Sequence, residues 1–351
     1  MTTSKLNAFA LRIGILGCAN IAKQFVRDVT GSPKISVVAA ASRRLESAAE
    51  FSKTFGIERS YASYEALLAD GNLNAVYIPL PNSLHAEWAI KAAEAGKHVL
   101  CEKPLALGLQ QAKSMFDAAH KNKVMLLEAY PYEFQPQTGV MLKLLRDGEI
   151  GEVRSVQACF GFTLANPNGN IRMNPELGGG ALLDAGSYPL SIIRLVMGCA
   201  PVSVMADATW ADSGVDISTM ATLYYADGRR AQLSCAMNAA NYRRATIAGS
   251  AGTLETEYLN HTGTLAGENP YGYLPSQLRV RRGTANTIAF DEITCATGSG
   301  FRFTAEAFAD LVATGNFAAI NRSAKVSLDN AATLEAMALS ARLGKRVAVE
   351  M

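Results

Sequence analysis

A chain of 351 residues with a formal net charge of only +2 is long enough for two domains, and it gives no electrostatic reason to expect nucleic acid or an anionic membrane as a partner. The six cysteines form no Cys-x-x-Cys pair and no tight grouping with the four histidines, which argues against a disulfide framework or a metal site. Because no unbroken apolar run reaches about 20 residues, we expect a cytoplasmic protein that does not span a membrane.

The first part of the chain, Leu11 to Tyr130, alternates short apolar runs with amphipathic stretches, as parallel strands joined by helices do. We predict strands over Arg12–Leu16, Ser36–Ala41, Ala75–Ile78, His98–Cys101 and Val124–Ala129. Apolar residues at helical spacing predict helices over Leu84–Ala95 and Leu109–Lys121. The pattern is that of a doubly wound nucleotide-binding domain, which we place at residues 1–131.

The turn after the first predicted strand, GILGCANIA, is similar to a dinucleotide-binding fingerprint, with Gly17, Ala19 and Ala22 at its three glycine positions. The first position makes the tight turn, the second lets the backbone approach the pyrophosphate, and the third lets the helix pack on the strand. A βα turn without a ligand is the alternative. If a dinucleotide binds, we expect its contacts here from Gly17, Cys18, Ala19, Asn20 and Ile21.

The second strand ends in AASRR, about 20 residues beyond the fingerprint, where NAD-preferring enzymes tend to have an acidic residue. Ser42, Arg43 and Arg44 would instead bind an anionic 2′-phosphate through charge-assisted hydrogen bonds. The arginines could also be a solvated helix start. We predict NADP as the cofactor, with NAD less favoured.

Two further segments carry a resemblance to a known family. Residues 77–106 read YIPLPNSLHAEWAIKAAEAGKHVLCEKPLA, and residues 178–198 read GGGALLDAGSYPLSIIRLVMG. Together with the fingerprint they resemble the glucose-fructose oxidoreductase, inositol dehydrogenase and MocA (Gfo/Idh/MocA) family, in its tyrosine-containing form. The resemblance implies a mixed α/β fold, namely an N-terminal Rossmann doubly wound parallel sheet and a C-terminal α+β domain with a large, mostly antiparallel open sheet.

The resemblance also implies a catalytic set. Lys103 follows a strand at the sheet edge where ligands bind, and in the family this lysine lies beside the nicotinamide and the substrate. Asp184 and Tyr188 are four residues apart and so share a helical face, which the family assigns to the substrate. A phenol titrates near 10 unperturbed, so Tyr188 needs a nearby cation, which Lys103 would provide. Asp184 could instead position Lys103 or a substrate hydroxyl.

Other expected contacts also follow from the family. The loop after the third predicted strand passes the nicotinamide ribose there, which implies cofactor contacts from Pro79, Leu80, Asn82 and His85. Glu102 and Lys103, after the next predicted strand, are expected to contact the cofactor as well. His85 could equally be a local hydrogen-bonding residue at a helix start. Glu128 and Tyr130 end the sheet and are expected to line the same site, although Glu128 could be only a structural partner.

One segment departs from the family. Where relatives often read Tyr-Arg-Phe-His-Pro, residues 132–136 read YEFQP, which replaces a cation and a histidine and makes an anionic substrate less favoured. Polar and aromatic residues of the variable half offer further substrate contacts, with ordinary loop roles as the alternative. They are Arg172, Asn174, Tyr271 and Tyr273.

After Pro136 the chain has one amphipathic helix, about Thr138 to Arg146, and is then rich in β-formers separated by turns. We predict strands over Ser203–Trp210, Ser218–Tyr225, Arg230–Met237, Arg244–Ala248 and Gly252–Glu257, with a hairpin at Asp227-Gly228. Late helices are predicted over Thr304–Ala313 and Leu328–Gly344. Residues 132–351 would form the second domain, and its last helix could pack back on the first. In the family a second subunit covers this sheet, which implies a homodimer or a dimer of dimers.

Three functions are consistent with these residues. The first is an NADP-dependent oxidoreductase acting on CH–OH groups of an aldose, keto-sugar, dihydrodiol or related cyclic polyol. In it Lys103 polarises the reacting oxygen, Tyr188 is the acid or base and Asp184 supports both. The second is a sugar–sugar oxidoreductase that retains its NADP. The third is a sensor that binds NADP without catalysis, which the fold alone does not exclude.

Overall fold

Two sheets organise the computed structural model, which describes residues 10–263, 274 and 277–351. The first is parallel and six-stranded, in the order β3-β2-β1-β4-β5-β6. Its strands are β1 (Leu11–Leu16), β2 (Ile35–Ala41), β3 (Arg59–Tyr61), β4 (Ala75–Ile78), β5 (His98–Glu102) and β6 (Leu126–Ala129). The connecting helices are α1 (Asn20–Val29), α2 (Leu45–Phe55), α3 (Tyr64–Leu68), α4 (His85–Glu94) and α5 (Leu109–Lys121).

The strand order reverses between β1 and β4, which creates a crevice at their carboxyl ends. Both faces of this sheet are covered, and β1 and β4 are almost entirely buried. That burial explains why these strands are nearly continuous apolar runs rather than alternating ones. The expected Rossmann domain is confirmed.

The second sheet has nine strands in the order β15-β14-β12-β11-β7-β10-β9-β8-β17. Only β7 and β10 pair in parallel. Its strands are β7 (Val153–Thr163), β8 (Ser203–Trp210), β9 (Asp216–Tyr224), β10 (Arg230–Ala236), β11 (Asn238–Gly249), β12 (Gly252–Glu257), β14 (Gln277–Arg282), β15 (Asp291–Glu292) and β17 (Val347–Ala348). A two-stranded sheet pairs β13 (His261–Thr262) with β16 (Gly298–Ser299). The predicted mostly antiparallel sheet is therefore confirmed.

The remaining helices are α6 (Pro136–Arg146), α7 (Ser187–Met197), α8 (Gly300–Thr314) and α9 (Phe317–Leu343). Both late helices reach the first domain. Phe301 and Phe308 of α8 lie in the same apolar cluster as β1 and α1, while Glu335 of α9 accepts a hydrogen bond from the Leu109 amide at the start of α5. The segment that follows the second sheet thus completes the layers around the first.

Several element boundaries differ from the sequence predictions. The strand predicted over Arg244–Ala248 is the middle of the longer β11, and the helix predicted to begin at Leu328 begins at Phe317. The early turns of α9 mix polar residues with small apolar ones and bury few side chains, so apolar periodicity did not reveal them, although Asn316 caps the helix by accepting from the Ala319 amide. Within the described part of the chain, no helix is long and apolar enough to cross a membrane.

Candidate active site

A cleft of about 640 Å³ lies at the carboxyl ends of β1, β4 and β5, facing the second domain. Many of the predicted site residues line it, namely Ala19, Asn20, Ile21, Pro79, Leu80, Asn82, Glu102, Lys103, Arg172, Asp184 and Tyr188. The second domain adds residues that the sequence did not single out, namely Phe160, Phe162, Asn170, Ile171, Arg243 and Asn260. The residues predicted to bind the cofactor and those predicted to be catalytic therefore line the same cleft.

The turn after β1 has the form that a dinucleotide needs. Gly17 has a φ of +110°, and a Cβ there would stand 2.8 Å from the Leu80 side chain, so glycine is required. Ala22 is fully buried where α1 packs on the sheet. Ala19 precedes α1, and no side chain caps that helix, so the amides of its first turn are available to a pyrophosphate at the cleft.

The end of β2 lies beside this turn, because the Gly17 amide donates to the Ala41 carbonyl over 3.0 Å. Ser42, Arg43 and Arg44 follow immediately; Arg43 and Arg44 are exposed and pair with no carboxylate among the described residues. They lie outside the lining of the cleft and next to the dinucleotide turn.

Lys103 and Asp184 form the charged centre of the cleft. The Lys103 ammonium donates to the Asp184 carbonyl oxygen over 2.6 Å and lies 3.1 Å from its Oδ1, while Arg172 Nε holds Oδ2 over 2.6 Å. Burial opposes both charges, but their mutual attraction prevails, so the pKa of Lys103 is raised and that of Asp184 is lowered. Lys103 therefore stays protonated and can donate to a ligand oxygen.

Asp184 and Tyr188 reach the cleft from an irregular segment. Residues Leu182–Gly186 form a π-helical turn, and α7 begins at Ser187, so the expected regular helix through both residues is wrong in detail. Such turns are frequent at functional sites. Both side chains still face the cleft, since the Lys103 ammonium that bonds Asp184 also lies 4.7 Å from the centre of the Tyr188 ring.

Tyr188 has two neighbours that the sequence did not predict. Asn260 Nδ2 donates to the Tyr188 hydroxyl over 2.9 Å, and the Arg243 guanidinium carbon lies 4.1 Å from the ring centre. Arg243 belongs to a strand with alternating faces, so its neighbour Arg244 points instead to the outer face of the sheet. Only the strand register decides which arginine reaches the cleft, and the sequence carries no signal for it.

His85 is placed differently from the family-based expectation. Its ring is fully buried and outside the cleft lining, with Nδ1 2.9 Å from the Pro104 carbonyl and Nε2 2.8 Å from the Leu80 carbonyl. The ring thus joins the loops after β4 and β5, which corresponds to the alternative of a local hydrogen-bonding residue. Asn82 lines the cleft, yet its Nδ2 donates to the Gly178 carbonyl and so holds the two domains together there.

Glu128 and Tyr130 also differ from expectation, because they line a separate cavity of about 160 Å³ with Glu133 and Asn330. Glu128 accepts from the Leu105 amide over 2.8 Å, so it supports the backbone just after Lys103. Burial raises its pKa to about 7, and burial together with the charge of Glu128 raises the pKa of Glu133 to about 8. Tyr130 packs edge-on against Tyr188, with ring centres 5.7 Å apart.

The remaining predicted substrate contacts have different outcomes. Arg172 reaches the cleft, whereas Asn174 accepts from the Glu176 amide in its own turn. Tyr271 and Tyr273 lie outside the described residues. All six cysteines are free thiols, and the parts of the chain that the structure describes contain no group of three side chains suited to a metal ion.

An uncapped helix N-terminus beside a glycine turn, at the switch point of a parallel sheet, defines a dinucleotide-binding protein. A lysine, an aspartate and a tyrosine face that point from two domains, and such groups can polarise and protonate a ligand oxygen. Comparison with known proteins identifies the class further. Residues 11–130 match the model for the oxidoreductase family with an NAD-binding Rossmann fold, and residues 140–255 match the GFO/IDH/MocA C-terminal domain. The chain belongs to the Gfo/Idh/MocA oxidoreductase family, as the resemblance implied.

Named relatives cover most of the chain. D-xylose 1-dehydrogenase (NADP(+)) 2 of Haloferax volcanii is 35% identical over 342 residues, which is 97% of this chain and 100% of that protein. A dTDP-3,4-didehydro-2,6-dideoxy-alpha-D-glucose 3-reductase of Actinomadura kijaniata is 38% identical over 71% of this chain and 75% of that one. The crystal structure of KijD10, a 3-ketoreductase from Actinomadura kijaniata with NADP and TDP-benzene, superposes with a TM-score of 0.84 at 32% identity, covering 94% of this chain and 98% of KijD10.

Proposed function

We propose that the protein transfers a hydride between NADP and a carbinol or carbonyl carbon of a sugar or related cyclic polyol. The observation that carries the proposal is the position of the Lys103 ammonium, between Asp184 and the Tyr188 ring, in the cleft that also contains the dinucleotide turn. Relatives named as a D-xylose dehydrogenase and a dTDP-sugar reductase support a sugar-like substrate.

The roles follow from the charges of the site. Lys103, held protonated by Asp184, donates to the reacting oxygen and polarises it. Tyr188 gives its proton to that oxygen during reduction and takes it back during oxidation. Bound NADP supplies the hydride chemistry. Arg172 keeps Asp184 in place from the opposite side, so that Lys103 stays fixed when a ligand enters.

The walls of the cleft suit a polyhydroxylated ring. Phe160 and Phe162 offer apolar surface, whereas Asn170 and Arg172 offer polar groups. A cleft with mostly apolar walls and a few placed polar groups is the usual form of a small-molecule site. The choice of NADP over NAD is supported by Arg43 and Arg44 beside the dinucleotide turn, where no carboxylate follows β2 directly.

A panel of aldoses, keto-sugars and dihydrodiols, assayed with NADP and with NAD at the reduced-nicotinamide absorbance band, tests this function. We expect turnover with NADP on at least one compound, and a loss of about 100-fold or more in Lys103→Met and in Tyr188→Phe, the usual scale of acid–base catalysis. Lys143→Met is the matched control, since Lys143 is exposed on α6 and pairs with Asp147 on the surface. NADP binding without turnover on any compound would favour the sensor function instead.

A further inference from the structure

Arg243 occupies an aromatic enclosure beside Tyr188. Its guanidinium carbon lies 4.1 Å from the ring centre of Tyr188, and the other enclosing rings are at 4.8 Å (Phe160), 4.9 Å (Tyr258) and 5.7 Å (Tyr132). No ion pair joins it to a carboxylate in the described ranges, and its side-chain hydrogen bond goes to Asn260 Oδ1 over 3.1 Å. The aromatic ring faces therefore stabilise the positive charge of the Arg243 guanidinium, and its hydrogen bond is made to Asn260.

This contact fixes the orientation of the Asn260 amide. A guanidinium has only donors, so the atom of Asn260 that faces Arg243 must be the carbonyl oxygen. The amide nitrogen then points the other way and donates to the Tyr188 hydroxyl over 2.9 Å. The phenol oxygen consequently accepts from Asn260, and the phenol proton is left free to point elsewhere.

We propose that Arg243 and Asn260 are positioning residues that direct the Tyr188 proton toward the reacting oxygen. Asn260 acts through its donated hydrogen bond, and Arg243 acts by holding the amide in that orientation. The proposal rests on the proposed function, because it takes Tyr188 as the group that exchanges the proton.

The positions of Asn260 and Arg243 around Tyr188 also suit the proton transfer in carbonyl reduction. In carbonyl reduction the hydride from NADPH adds to the carbon, the carbonyl oxygen takes the Tyr188 proton, and the products are the alcohol, NADP⁺ and a tyrosinate that solvent later reprotonates. The tyrosinate oxygen keeps the hydrogen bond from Asn260, and two cations lie close to the ring centre, Arg243 at 4.1 Å and Lys103 at 4.7 Å. Oxidation is the reverse of these transfers.

An isosteric exchange at Asn260 separates positioning from packing. Asn260→Asp replaces the donor by an acceptor that still pairs with Arg243, so the Tyr188 hydroxyl would donate to Asp and its proton would be withdrawn from the substrate. Asn260→Ala removes the donor without adding an acceptor. We expect kcat to fall about 100-fold in Asn260→Asp and about 10-fold in Asn260→Ala, within the range of acid–base effects. KM and NADP affinity should change by less than about threefold in both, since binding energy is not removed.

A purely structural role predicts the opposite order, because alanine leaves a cavity and aspartate does not. Asn321→Asp, at an exposed position of α9, is the matched control. As a second pair, Arg243→Lys keeps a donor-only cation and should retain most activity, whereas Arg243→Gln can present either amide atom and should lose about 10-fold. The two Arg243 variants distinguish a positioning role from a structural role if Asn260→Asp does not bind NADP.

Wild-type kcat in Asn260→Asp, or a slower Asn260→Ala than Asn260→Asp, would overturn the positioning role while leaving the proposed function intact. Equal losses in Arg243→Lys and Arg243→Gln would also overturn it. A wild-type protein that binds NADP and turns over no sugar would overturn both proposals, so the two failures are distinguishable.

Discussion

Asp184 holds two cations at once, and this balances the charges that line the cleft. One carboxylate oxygen faces Lys103 and the other accepts from Arg172. The pKa of Asp184 is lowered because these cations outweigh the cost of burying the carboxylate. Lys103 is therefore already protonated when a substrate oxygen approaches it, and no change in its protonation state is needed.

Arg43 and Arg44 give a prediction at the same scale. Replacing both with alanine should weaken NADP binding by at least about 10- to 100-fold, the scale of losing one hydrogen bond between charged groups, and should change NAD binding little. Isothermal titration with both nucleotides measures this. Arg154→Ala is the control, since Arg154 is exposed on β7 and pairs with Glu152. Equal losses for NADP and NAD would contradict the role in 2′-phosphate recognition.

At the scale of elements, the sequence predicts what depends on local periodicity and misses what depends on register. The buried runs of β1 and β5 predict the positions of Gly17 and Lys103, and these runs together with the helical spacing of α5 predict the parallel sheet. Arg243 could not be predicted, because a shift of one residue would exchange it with Arg244. The position of His85 could not be predicted for a related reason, since the two carbonyls beside its ring come from loops after two different strands.

The turn after β6 gives a prediction on pH. The pKa of Glu133 is raised to about 8, so between its ordinary value and about 8 the native state holds a proton that the unfolded chain releases. The stability that this proton provides is present at low pH and is lost as the pH rises through about 8. Glu133→Gln keeps a neutral group there, so it should be more stable than wild type by about 1–3 kcal/mol at about pH 9, with the difference shrinking toward about pH 5.

Urea denaturation at several pH values measures this difference. Glu50→Gln, at an exposed position of α2, should follow wild type throughout. A Glu133→Gln curve parallel to wild type across the whole range would show that Glu133 ionises in the native state as it does in the unfolded chain.

At the scale of the molecule, the nine-stranded sheet buries one face and leaves the other open. The open face carries a hollow of about 570 Å³ that includes Met205 and Met220, and Met220 is 70% exposed. Apolar side chains on an uncovered sheet are typical of an interaction surface. We propose that a second copy covers this face, giving the homodimer or dimer of dimers that the family resemblance implies.

Met220→Asp tests this assembly. A carboxylate on this face of each copy would lose its water in the interface without gaining a partner, so we expect dissociation to monomers. Light scattering after size-exclusion chromatography measures the mass. Leu45→Asp, a similar change at an exposed position of α2 in the first domain, should keep the wild-type mass. Monomeric wild-type protein at micromolar concentration would contradict the proposal.

Transfer of a labelled hydride tests the central claim most directly. The protein is incubated with NADP⁺ and sugars that carry deuterium on every carbon, and the mass of the nicotinamide product is measured, so that the reacting carbon need not be known. The account predicts NADPH with one deuterium from at least one sugar, and none from Lys103→Met at the same protein concentration. NADP⁺ that is bound but never labelled by any sugar of the panel would contradict it.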